Sequence, residues 1–196
     1  MNVLGISTSP RKKGNTHFLL TQALAAAEET GAKIDLVSCR KLKISGCLEC
    51  GGCDKTGVCV VKDEMHEVYP KLEWADAIIL AAPMFFYSIP AQGKALIDRS
   101  QALWSGRRLK KKGEQLKQFD SGKGYFLGAG ASRGKNLFLG AELVAQYFFD
   151  ALDMSYEGAL NFRGLERKKD TAENQDLIKQ ARELGIKAAR GISLLK

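Results

Sequence analysis

The sequence predicts an α/β fold, a doubly wound sandwich built on a five-stranded parallel sheet, and three observations lead there. Short apolar runs alternate with stretches of helical periodicity along the chain. The apolar runs are near-continuous rather than alternating, as in strands buried on both faces. Composition is ordinary for a globular chain, with 45% hydrophobic and 27% charged residues in 196, enough for one sizeable core.

The elements follow in order. NVLGIS (2–7) is the first strand, and THFLLTQALAAAEETG (16–31) is a helix with an Ala-rich interior and Gly31 at its C-terminal stop. KIDLVS (33–38), DAIILAAP (76–83), GYFLGAG (124–130) and SYEGAL (155–160) are the other strands, with further helices over 64–74, 90–104, 137–151 and 172–190. No internal repeat or Pro/Gly/Ser linker divides the chain, so a single domain over 1–196 is expected, with one insertion, a cysteine-rich loop over 43–62 after the second strand. This is a flavodoxin-like plan, in which ligands bind beyond the carboxyl ends of the strands where the strand order switches. The loops 8–16, 83–90 and 130–136 therefore carry the chemistry.

Several classes of function are disfavoured. The chain opens with apolar residues and places its basic ones afterwards, the reverse of a secretory signal, and no apolar run reaches membrane-spanning length; a cytoplasmic protein without membrane association is expected. The formal charge is +8, and residues 107–123 hold seven cations (Arg107, Arg108, Lys110, Lys111, Lys112, Lys117, Lys123) against Glu114 and Asp120. Such a run is either a solvated face or a surface that steers acidic redox partners and phosphorylated cofactors. It lacks interleaved aromatics, and no helix-turn-helix, zinc-finger or RNA-recognition signature accompanies it, which argues against nucleic acid. His17 and His66 have no visible catalytic partner, and no Ser/His/Asp or paired-carboxylate arrangement stands out.

Directly after the first strand, STSPRKKGNT sets hydroxyls, Arg11, a glycine and Asn15 at the start of a helix. The unpaired N–H groups there, with Arg11 and the hydroxyls, suit a terminal phosphate. The same residues also suit a plain helix cap beside solvated loop charges. The glycine spacing is neither a Rossmann fingerprint nor a P-loop, and GAGASRG (128–134) departs from G-x-G-x-x-G at Arg133, reading instead as a flexible loop with backbone amides for a ligand edge. APMFFYSIPAQGKALIDR (82–99) places Pro83, Met84, Phe85, Phe86 and Tyr87 at the top of a strand, where they wall a planar ring or pack as an apolar cluster under the next helix or at a subunit interface. A ring beside a phosphate points to FMN.

Those two stretches, with the cysteine loop and the VVKDEM that follows it, resemble the NADPH-dependent FMN reductase family, and the cysteine loop resembles that of its iron-sulfur flavoproteins. The resemblance covers most of residues 1–100; Thr8 stands where many relatives have glycine. It implies FMN with its phosphate held at Ser9, Arg11, Asn15 and Thr16, and its ring contacted by Pro83, Met84, Phe85, Phe86 and the loop from Gly130 through Ala131 and Ser132 to Arg133. It also implies a homodimer or homotetramer with flavin near a subunit interface.

Four of the five cysteines, Cys47, Cys50, Cys53 and Cys59, form C-x2-C-x2-C-x5-C among glycines 46, 51, 52 and 57. Closely spaced, odd-numbered thiols in a reducing compartment are ligands more often than disulfides. Two-residue spacers in a Gly-rich loop let four thiolates converge on a [4Fe-4S] cluster. Zinc in a four-cysteine site and a cluster-free, redox-active or empty loop are the competing readings. Cys39 reads as a small buried hydrophobe. The expected function is an FMN-dependent oxidoreductase moving electrons between FMN, the cluster and a small-molecule or ferredoxin-like partner, with NAD(P)H as a possible donor. The alternatives are a cluster-free NAD(P)H-dependent flavin or quinone reductase and a non-catalytic electron shuttle; the cofactor, in each, carries the redox chemistry.

Overall fold

A computed structural model describes residues 1–167 and 170–195. Five strands, β1 (Asn2–Ser7), β2 (Lys33–Ser38), β3 (Ala77–Pro83), β4 (Gly122–Gly130) and β5 (Met154–Arg163), form one sheet in the order β2-β1-β3-β4-β5 with every neighbouring pair parallel. The central β3 is buried along AIILAA, as its unbroken apolar run requires. Helices α1 (Asn15–Glu29) and α6 (Gln175–Arg190) cover one face, over Val3, Ile79, Tyr125 and Leu127. On the other face α2 (Met65–Trp74), α3 (Ala91–Arg99), α4 (Gln101–Lys110) and α5 (Leu139–Ala151) enclose a core containing Leu4, Ile6, Ile78, Leu80 and Phe126. The alternation along β1 and β3 assigns neighbouring side chains to opposite cores. No helix among the described residues is long and apolar enough to cross a membrane.

The expected strands and helices are present with shifted ends, and one helix is divided. The stretch read as a single helix over 90–104 is α3 and α4, separated at Ser100. The Ser100 hydroxyl donates to Leu96 O at 3.3 Å, and the Leu103 and Trp104 N–H groups both return to Ser100 O, so one residue ends the first helix and starts the second. β5 is longer than the expected 155–160 and carries the chain to Arg163, so that residues 164–167 lie at the carboxyl end of the sheet. The cysteine loop leaves β2 through a short 3-10 turn at Cys39–Lys41 and re-enters the fold at α2.

The basic run over 107–123 is not the open surface that its composition suggested. Arg107 is buried, pairs with Asp150 at 2.7 Å and Asp153 at 2.8 Å, and lies over the Trp104 and Phe119 rings. Lys111 pairs with Asp120 and Asp153, Lys117 with Glu114, and Lys123 with Glu157. Four of the seven cations are thus neutralised within the molecule, chiefly by acids of α5 and the turn after it, and much less charge is left to steer a partner.

Candidate functional site

The strand order reverses between β1 and β3, and a cleft of about 230 Å³ opens there. It gathers Ser9, Arg11, Asn15 and Thr16 from the β1–α1 loop, Pro83, Met84 and Phe85 from the end of β3, and Gly130 and Ala131 from the end of β4. Gly14 caps α1 without a side chain, and the first turn holds no acidic residue, so the helix N-terminus reaches the cleft without a capping side chain of its own. A Cβ at Gly14 would stand 3.1 Å from Ser9 Oγ and 3.3 Å from Arg11 Cβ, so glycine keeps this cradle open. Ser9 Oγ accepts from Arg11 N at 3.2 Å and folds the loop over the helix end. Across the cleft, Met84 N donates to Ala129 O at 2.8 Å and fixes the β3 loop to β4.

Three of the residues expected here stand outside the cleft: Phe86, Ser132 and Arg133 do not line it. Phe85 and Ser88 exchange two backbone hydrogen bonds of 3.0 Å, and Phe86 (φ 49°) and Tyr87 (φ 62°) form the left-handed turn between them, which puts the Phe86 ring wholly in solvent. Ser132 Oγ accepts from Gly134 N at 3.1 Å, and the Arg133 guanidinium lies against Gly164. Asn15 lines the cleft, but its side chain is engaged elsewhere: Nδ2 donates to Arg167 O at 2.7 Å, and Oδ1 accepts from Thr171 at 3.1 Å. Leu165 and Glu166 line it unexpectedly, brought in by the lengthened β5 and by a bond from Leu165 N to Gly130 O at 3.1 Å. Only the position of Leu165 and Glu166 just beyond the fifth strand signals them in the sequence.

Two adjacent non-glycine residues at positive φ are strained, at a cost of about 1–3 kcal/mol each. Replacing them by the Asn-Gly pair that such a turn prefers, Phe86→Asn with Tyr87→Gly, is expected to raise stability by about 1–2 kcal/mol in urea denaturation.

The cysteine loop makes a second hollow, of about 590 Å³, lined by Cys47, Cys50, Cys53 and Cys59 with Arg99 from the end of α3. Both shoulders of the loop are tied to the body. Lys43 N donates to Glu64 Oε2 at 2.5 Å and Ser45 N to Asp63 Oδ2 at 3.1 Å. Arg99, 1% exposed, donates to Asp63 at 2.6 Å, Val61 O at 3.1 Å and Ser45 O at 3.3 Å, so a single guanidinium clasps both ends. Tyr69 OH donates to Arg99 O at 2.8 Å and holds the end of α3 in place. At the far side Gly57 (φ 71°) lies against Gly106 of α4; a Cβ on Gly57 would come within 2.6 Å of Gly106 Cα.

The charges conform to this geometry. Burial lowers the Arg99 pKa, but the hydrogen bond and charge of Asp63 outweigh it and the guanidinium stays firmly protonated. Burial, followed by the charge and hydrogen bond of Cys59, raises the Tyr69 phenol. Asp63 is raised by burial but lowered further by Arg99 and by the Ser45 and Met65 N–H groups, so its folded pKa lies below the ordinary carboxylate value. That contribution to stability is present above an unfolded-chain pKa of about 4 and disappears as pH falls through the lower folded value. Protection factors of the amides in 43–63, with the intrinsic pH dependence of exchange divided out, are accordingly expected to fall selectively below about pH 4 and to stay level between pH 6 and 8.

Among the described residues no three His, Cys, Asp or Glu side chains form a group that could hold a metal ion, although the four thiols line one hollow. Arg99 Nε is buried without a hydrogen-bond partner among those residues, and Glu49 N donates to Cys47 Sγ at 3.4 Å. A partnerless donor and an N–H···S bond suit sulfur ligands at this hollow. Cys39 lies outside the hollow, buried, with its thiol pushed up to about 12 by that burial.

The model of the NADPH-dependent FMN reductase family matches residues 1–154. The chain belongs to that family. As a member of it, the chain is an FMN-dependent oxidoreductase. An iron-sulfur flavoprotein of Methanocaldococcus jannaschii is similar over 100% of both chains at 31% identity. An iron-sulfur flavoprotein of Methanosarcina thermophila is 43% identical over 103 residues, 53% of this chain and 54% of its own. Among solved structures, a flavone reductase shares the fold with a TM-score of 0.72 at 17% identity, over 97% of this chain and 62% of its own. This family member thus carries the flavodoxin-like architecture, and its iron-sulfur flavoprotein relatives carry in their name the two groups that the cleft and the hollow suit.

Proposed function

We propose that the chain holds FMN in the strand-switch cleft and a [4Fe-4S] cluster on Cys47, Cys50, Cys53 and Cys59, and passes electrons between them and a small-molecule or ferredoxin-like partner. One observation carries this reading: the loop that leaves the cleft is joined to the cysteine hollow by one short helix. The ring-side loop runs into α3 at Ala91, and α3 ends at Arg99 in the cysteine hollow, about 13 Å away along a nine-residue helix.

FMN supplies exchange of one or two electrons when bound. The chain does the positioning. The α1 N-terminus, Thr16 and Arg11 hold the anionic tail, while Pro83, Met84 and Phe85 set the wall for the ring. The small cleft takes the tail and one edge of the ring, leaving a face of it for a donor such as NAD(P)H. Arg99 keeps its positive charge at the cysteine hollow, with Nε buried and unpartnered among the described residues, so that it can donate to a ligating sulfur. The exposed Phe85, Phe86 and Tyr87 continue onto the open face of α5 at Leu139, Leu143 and Tyr147, an apolar surface suited to a homodimer or homotetramer contact near the flavin.

Anaerobically purified protein is expected to show flavin bands over a broad iron-sulfur absorption that bleaches with dithionite, and about four irons and four sulfides per chain. Serine at Cys53 should abolish the iron and leave the flavin. Flavin without iron would instead make the chain a cluster-free NAD(P)H-dependent reductase; loss of both would overturn the reading.

A further inference from the structure

We infer that a groove beside the open edge of β2 is a second ligand site, for a small phosphorylated molecule with a flat apolar body, of nucleotide kind. β2 is the terminal strand of the sheet, and beside it lies a hollow of about 900 Å³, larger than the flavin cleft and within the range of roughly 300–1,000 Å³ that small-molecule sites occupy. Six cations line it: Lys12 and Lys13 from the β1–α1 loop, Arg40 and Lys41 from the turn after β2, Lys71 from α2, and Arg11, which also lines the flavin cleft and is left to the FMN phosphate. Glu67 is the acid that lines it among the described residues. The molecule's basicity is therefore concentrated here rather than in the run over 107–123, most of whose cations are ion-paired.

The floor is apolar. Phe18, Leu36, Val37, Leu42 and Val68 form it, so the groove combines a greasy base with a cationic rim, which is what a flat ring with a phosphate tail requires. A peptide adding as a sixth strand fits worse, because the edge is blunted. Leu36 N is already bonded to Asp35 Oδ1 at 2.7 Å, and Asp35 is paired with Lys71 at 2.7 Å. His17 also faces the groove, with Nδ1 3.2 Å from Ser7 Oγ and no partner for Nε2 among the described residues. Burial and then the charges of Arg40 and Lys41 lower its pKa, as an unanswered cationic cluster would. An anion on the rim would answer it.

The test uses protein saturated with FMN, so that the flavin cleft is filled, and ADP as the probe, with adenosine and inorganic pyrophosphate as separate arms. ADP is expected to bind in calorimetry and to move the His17 ring signals while leaving those of His66. Arg40→Glu with Lys41→Glu, both exposed and away from the flavin cleft, should weaken ADP at least about tenfold and leave FMN retention unchanged. Lys110→Glu with Lys112→Glu should change neither. Absence of ADP binding to the FMN-loaded protein, competition between ADP and FMN, or equal affinity in the Arg40/Lys41 variant would overturn the site. Pyrophosphate binding as tightly as ADP would overturn the assignment of a flat apolar body.

Discussion

Arg99→Met is expected to release the cysteine loop, lowering stability by about 3–5 kcal/mol and stripping iron from the anaerobically reconstituted protein while FMN is retained. The guanidinium is 1% exposed and is hydrogen-bonded to Asp63, Val61 O and Ser45 O. Without it the Asp63 carboxylate loses the partner that compensates its burial, and the two shoulders of the loop lose their clasp. A companion variant separates charge from fold: Arg99→Met with Asp63→Asn removes the stranded charge, keeps an acceptor for one of the Ser45 and Met65 N–H groups, and should recover part of the lost stability without restoring the iron. Chemical denaturation and iron analysis read the two effects separately. Wild-type stability and iron in the single variant would refute the clasp.

The second large effect is on the flavin. Arg11→Ala combined with Thr16→Ala is expected to raise the FMN dissociation constant about a hundredfold to a thousandfold, from loss of a charge-assisted contact worth about 1.5–3 kcal/mol and a hydroxyl contact worth about 1 kcal/mol. Arg11 is exposed and holds no structural ion pair among the described residues, so Arg11→Ala alone should leave the unfolding transition in place. Lys12→Ala and Lys13→Ala, which line the β2 groove rather than the flavin cleft, should change FMN affinity by less than about threefold. Fluorescence titration with FMN provides the measurement; unchanged affinity in the double variant would move the anionic tail out of the β1–α1 loop.

What could be read in advance was what is local along the chain. Ser9, Pro83, Met84, Gly130 and Ala131 converge because each lies within a few residues of the carboxyl end of a strand, Thr16 joins them from the first turn of the helix after β1, and the apolar runs announced those ends. The break at Ser100 escaped because periodicity runs through it unbroken, and only a hydroxyl returning to Leu96 O marks it. Phe86 and Tyr87 hid their turn because neither is a residue that normally adopts positive φ. Leu165 and Glu166 entered the cleft through the three extra residues at the end of β5, whose edge position weakens its apolar pattern.

The spacing of the four cysteines, the order of strands and helices and the hydroxyl-rich loop after β1 are properties of neighbouring residues, so the sequence alone determined the family, the layered fold and the two places where cofactors are expected. Which charges are free was decided only in three dimensions. Arg107 meets Asp150 and Asp153, and Arg99 meets Asp63, across 36 or more positions of chain, while Arg11, Arg40 and Lys41 are brought to one groove without such partners among the described residues. A charge is cancelled by whatever lies within a few ångströms of it in space, and composition contains no record of that distance.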